Sequence, residues 1–233
     1  MNSMKNIIQS ISILSLGIVL ATGNTGCKKD FTNPSAATSD QVLSSAKGLA
    51  GTAVGLQRVY ANNVAYGFYD ANGLVTNETI LMNAGNTSEF QFSTGGTAVD
   101  GTNALLGNVW SSASKVIYDA NNVINGAANV TDRGYASGLI GYATIYKASS
   151  MGVMAQFWEK VPDTIGVNAP TFSDRTVGYA RAIAAIDKAI AAINANPIPA
   201  TFYADVPVGV DIVNTLYALK ARYSLFNGNY AAA

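Results

Sequence analysis

The chain has 233 residues, 49% of them hydrophobic and only 12% charged, with a formal net charge of zero. Nucleic-acid binding rests on many Lys and Arg contacts to phosphate, and no basic cluster recurs after the first thirty residues, so that class is excluded. There is no histidine and a single cysteine, Cys27, which removes the commonest general base and metal ligand, any intrachain disulfide and a thiolate-built metal site; no cofactor is expected.

The first 26 residues read as a lipoprotein signal peptide. Lys5 and the amino terminus supply positive charge, and residues 7–21 form an apolar run that is too short and too interrupted by serine for a membrane span. Small residues then lead to Thr25-Gly26-Cys27, which resembles a lipobox, although Asn24 stands where an aliphatic residue is usual. Cleavage before Cys27 leaves its thiol to receive lipid. Residues 27–37 then form a polar tether, and acyl chains at about 0.8 kcal/mol per buried CH₂ would hold the protein on a membrane.

From residue 38 the pattern is helical. Thr38 or Ser39 can cap a helix whose face carries Val42, Ala46, Leu49, Ala53, Leu56 and Tyr60. Residues 61–102 break that pattern with Asn, Gly, Thr and aromatic residues. Turn signals at Asn72-Gly73 and Gly95-Gly96 predict a long loop region, with one short helix at 78–82. Long loops inside compact domains tend to be functional or disordered.

A helix is predicted over 103–127, with Leu106, Trp110, Ala113, Ile117, Ala120, Ile124 and Ala127 on one face. The next, 134–158, is apolar nearly all round, but Lys147, its serines, threonines and internal glycines mark it as a buried core helix and not a membrane span. Ser173 is expected to cap a helix over 174–195 with Val177, Ile183, Ile186, Ile190 and Ile193 as its stripe. A fifth helix covers 211–226, Asn227-Gly228 turns the chain, and 229–233 starts another helix. No strand-like alternation of any length occurs, so the class is all-α, built of antiparallel helix pairs with long loops.

No nucleotide-binding glycine motif and no nucleophile elbow is present. Asp70, Glu78, Glu89 and Asp100 lie in the predicted loop region and two acids can hydrolyse a glycoside, but four acids over thirty residues is ordinary loop solvation, and no enzyme is expected. Sugar rings offer apolar C–H faces and a rim of hydroxyls, which exposed aromatics beside Asn or Asp can bind. Tyr66, Phe68, Tyr69, Asp70 and Asn72 supply that mixture and are the candidate ligand-binding residues. The competing reading is that these aromatics pin the loop to the helices, as most aromatics are buried. Trp110 and Trp158 read as packing residues, and Tyr203, beside Phe202, is a weaker surface candidate.

The order of several degenerate motifs resembles the SusD/RagB family of outer-membrane nutrient-binding lipoproteins. Cys27-Lys28-Lys29-Asp30-Phe31 with its Pro-containing tether is similar to the mature start of that family. Trp110, Tyr118, Ala120, Asn121, Val123 and Ile124 match its "W…Y…aN.vI" helix. Phe157-Trp158-Glu159-Lys160-Val161-Pro162 resembles its "fGdVP" segment, with Trp-Glu-Lys in place of the usual residues and without the expected upstream arginine. Residues 179–193 are similar to its "Y..I..DL..Ai" helix, and 217–233, with Ala221, Arg222, Gly228, Tyr230 and Ala233, to its tetratricopeptide-like helix pair.

The resemblance spans nearly the whole chain but about the N-terminal half of a typical member, so residues 38–233 are expected to be a helical SusD-like N-terminal domain, truncated at its C-terminus. It implies a tetratricopeptide-like helical-repeat array, lipid-anchored on the outer membrane and facing the exterior. Such a protein captures oligosaccharide or peptide and passes it to a TonB-dependent outer-membrane transporter. The alternative of another class is a helical-repeat surface scaffold that binds protein partners without a nutrient ligand, which predicts a broad exposed patch in place of an aromatic cleft.

Overall fold

The computed structural model describes residues 39–83 and 85–233. Cys27, the signal peptide and the whole of the tether lie outside the described residues. The described part is all-α, as its helical periodicity predicts, apart from one pair of three-residue strands.

The chain starts with a short helix α1 (Ser39–Leu43), then breaks at Ser44. Ser45 caps α2 (Ala46–Val59), its side chain accepting from the Gly48 backbone N–H. Helix α2 does not end at Tyr60. A π-helical stretch, Tyr60–Ala65, carries it into α3 (Tyr66–Thr76), which stops at Asn77 in the left-handed conformation, φ 59°. The predicted loop at 61–102 is therefore overturned over its first third. Gly73, which reads as part of a turn, and Gly67 are places of close approach: a Cβ at Gly67 would come within 2.5 Å of Val109 Cγ2, and one at Gly73 within 2.7 Å of Thr79 Oγ1. Tertiary packing thus overrides the low helix propensity of Asn and Gly. The helix expected at 78–82 is absent. The segment instead forms α4 (Thr87–Thr94), capped by Asn86, and the turn at Gly95-Gly96 is present, both glycines having positive φ.

Asn103 caps α5 (Ala104–Ala127), accepting from the N–H groups of Leu105 and Leu106. Asp132 caps α6 (Arg133–Phe157), accepting from the Tyr135 N–H. Caps of this kind are worth about 1 kcal/mol each. Helix α6 is the axis of the core: 18 of its 25 residues are buried. It packs mainly along α5 on one side and α7 (Arg175–Ala195) on the other, with α2 and α9 (Ile212–Phe226) completing its surround. That is why its sequence is apolar nearly all round. No helix among the described residues is long and apolar enough to cross a membrane.

Between α6 and α7 the chain makes β1 (Lys160–Pro162) and β2 (Phe172–Asp174), antiparallel, with Val161 opposite Ser173. Ser173 therefore belongs to a strand, and the cap of α7 is Asp174, whose carboxylate accepts from the Thr176 N–H. The short α8 (Ala200–Tyr203) drives Phe202 into the core against Tyr135 and Tyr142. Asp211 caps α9, and Gly228 turns the chain with φ 77° into a single 3-10 turn, Tyr230–Ala232, where a new helix was expected.

Candidate functional site

The five predicted ligand residues lie on α3 and not on a loop, and the helix divides them. Tyr66 and Tyr69 are 59% and 70% exposed, and Asn72 is exposed beside them at the next i+3 position. Residues three apart on a helix have Cβ atoms about 5–6 Å apart, so the two phenol rings and the amide form one row. The Asn72 Nδ2 donates to the Phe68 carbonyl at 2.7 Å, and its Oδ1 accepts no hydrogen bond among the described residues. Phe68 points the other way and stacks on Phe157 with ring centroids 5.4 Å apart, a packing role. Asp70 is half-buried, and its Oδ2 is buried without a hydrogen-bond partner. The reading that these aromatics pin the segment down holds for Phe68, and not for Tyr66 or Tyr69.

Trp110 and Trp158 meet edge-on at 4.9 Å, the packing role expected of them. Phe172 of β2, half exposed, lies near parallel to Trp110 at 6.3 Å and widens this cluster into an aromatic shelf. Tyr203 is 42% exposed, whereas its neighbour Phe202 is fully buried.

A cavity of about 340 Å³ opens between α5, α6, α7 and the β1–β2 hairpin, and none of the predicted ligand residues lines it. Its volume lies at the small end of the roughly 300–1,000 Å³ range of small-molecule pockets. Ile117, Met151, Met154 and Ile165 give it apolar walls, and its polar groups are Asn121, Lys147, Asp163, Thr164, Arg181 and Lys188. Lys147 is half-buried in the middle of the core helix and makes no hydrogen bond or ion pair among the described residues. Burial, and then the neighbouring Lys188 charge, push its ammonium below the usual lysine pKa.

Asp163 is the hub of the hairpin. It accepts from Ser173 Oγ and Thr171 Oγ1, each at 2.5 Å, and its Oδ1 lies 2.6 Å from Arg181 Nη1. That last contact is an ion pair, with the oxygen off the N–H axis of Nη1. The Ser173 hydroxyl, then Thr171 and Arg181, hold the Asp163 carboxyl at about 2, below its usual 3.8. A lowered carboxyl pKa gives stability that is fully present above 3.8 and is lost as pH falls through about 2. We expect the melting temperature of the wild type to fall more steeply than that of Asp163→Asn between those two pH values. Superimposable melting-temperature profiles would show that the hub does not hold the hairpin.

Compared with protein-family models, with curated proteins and with solved structures, the chain finds no match. Sequence reasoning passed over the cavity because its residues come from four elements. Two signals were available: one lysine inside an otherwise apolar helix, and Arg181 and Lys188 seven residues apart on one helical face.

Proposed function

We propose that the chain is a lipid-anchored surface protein that captures oligosaccharide or peptide and hands it to a TonB-dependent outer-membrane transporter. The observation that carries this reading is the outward row of Tyr66, Tyr69 and Asn72 on α3. Two exposed phenol rings at helical spacing, with an amide oxygen at the end, offer an apolar face and a polar rim to a sugar. Each ring contributes on the order of 1 kcal/mol, so binding through this face alone is weak. The lipobox-like Thr25-Gly26-Cys27 supports the anchor.

Two measurements test the reading. Metabolic labelling with a fatty-acid analogue should mark the wild type and not Cys27→Ala; equal labelling of both removes the anchor. Calorimetry of the purified chain against neutral oligosaccharides should give weak binding that drops about fivefold with Tyr69→Ala, the equivalent of about 1 kcal/mol. Affinity unchanged by Tyr66→Ala and Tyr69→Ala together removes the ligand face. A second reading, a scaffold for protein partners, is favoured by the exposed apolar side chains of Val75, Ile80, Met82 and Phe90 just beyond that row. On that reading, Ile80→Asp and Met82→Asp disrupt association with the partner while sugar affinity is nil from the outset.

A further inference from the structure

The cavity between α5, α6, α7 and the hairpin is a second, separate site. Lys147, Lys188 and Arg181 face it against one carboxylate, Asp163, so two positive charges remain uncompensated. Lys147 and Lys188 have no ion-pair partner among the described residues, nor has the Asn121 side chain a hydrogen bond there. A half-buried ammonium without a partner is costly, and in a cleft it marks a candidate ligand site. We propose that this cavity binds an acidic sugar, its carboxylate received by Lys147 and Lys188 and its ring enclosed by Met151, Met154 and Ile117.

Three features select that ligand class. The walls are apolar, which suits a ring with C–H faces better than a bare inorganic anion. Asn121 and Thr164 stand among them as neutral partners for hydroxyl groups. A zwitterionic amino acid or peptide is disfavoured, because its ammonium would enter a cavity already in excess of positive charge. Asp163 is a poor partner for that ammonium, since Ser173, Thr171 and Arg181 already engage both of its oxygens and Arg181 offsets its charge. The cavity also shares Pro162, Thr164 and Ile165 with the shallow shelf of Trp110 and Phe172, which gives a second sugar ring an aromatic surface beside the first.

The test is calorimetry of the purified full chain with galacturonate, galactose, alanyl-alanine and inorganic phosphate as probes. Galacturonate should bind at least tenfold more tightly than each of the others. Lys188→Gln, a change at an exposed position, should cost at least fivefold in galacturonate affinity. Lys147→Met should cost at least tenfold and, without ligand, should raise the melting temperature, because it removes an unpaired half-buried charge. Lys115→Gln, on the exposed Asp119 pair, should alter neither reading. Equal binding of galactose, phosphate as tight as galacturonate, or galacturonate affinity unchanged in both Lys188→Gln and Lys147→Met would each overturn the proposal. Lys147 and Lys188 are remote from the tyrosine row, and neither Tyr66 nor Tyr69 lines the cavity, so the two lysine variants distinguish failure here from failure of the tyrosine face.

Discussion

Phe202→Ala should destabilise the protein by about 3–5 kcal/mol, the range for removing a buried phenylalanine ring. Phe202 is fully buried although it sits on a four-residue helix. Its ring meets Tyr135 edge-on at 5.2 Å and Tyr142 at 6.5 Å, and it lies on the backbone of α6 at Gly138, where a Cβ would come within 2.7 Å of it. Few neighbours can relax into the space, because the ring rests on a helix backbone. Tyr135 also donates to Asp205 Oδ2 at 2.7 Å, fixing the segment from the other end. The loss is measured by denaturant unfolding, with Tyr203→Ala as the control one residue away. Tyr203 is 42% exposed and should cost well under about 1 kcal/mol. A Phe202→Ala cost as small as the control's would mean that α8 does not anchor the core.

Gly152→Ala should destabilise, while the same substitution at Gly51 should stabilise. Replacing glycine by alanine inside a helix favours folding by about 0.5–1 kcal/mol when the methyl group has room. At Gly51, exposed in the middle of α2, a Cβ meets nothing within 4 Å. At Gly152 the same Cβ would overlap the Tyr223 ring. Tyr223 is 3% exposed and is stacked on Tyr179 with centroids 6.0 Å apart, so it cannot swing aside without moving α7. Overpacking of this kind costs about 1–3 kcal/mol, more than the helical gain. Opposite signs in the two unfolding measurements are expected. A stabilising Gly152→Ala would refute the close approach of α6 and α9.

The long helices were legible because period and punctuation agree. Asn103 and Asp211 stand at the starts predicted from sequence, and Asp132 lies just before the third helix. The all-round apolar character of 134–158 announced a central helix. Residues 61–76 failed for the opposite reason: their Asn and Gly content signals a loop, and only contact with Val109 on a distant helix reveals why Gly67 is needed. The Ser173 cap failed because Asp174, one residue on, does the same chemistry while Ser173 serves the strand pair and Asp163. The tyrosine row could be named but not oriented, since which side chain of Tyr66, Phe68 and Tyr69 turns inward depends on the phase of a helix that the pattern hides. The cavity could not be assembled at all, because proximity among Asn121, Lys147, Asp163 and Lys188 is a property of packing.

That hidden phase has a consequence for tolerated changes in chain length. The π segment Tyr60–Ala65 as a whole holds about one residue more than an α-helix of the same rotation, because its bonds span five positions and not four. Loss of one residue there would let the rod relax to α-helix with Ala53 and Leu56 before it, and Ala71 and Leu74 after it, still facing the core. The same loss inside α2 or α3 would rotate everything beyond it by about 100° and turn one buried face into water. The rod therefore carries its spare residue where the chain can lose one without turning the tyrosine row.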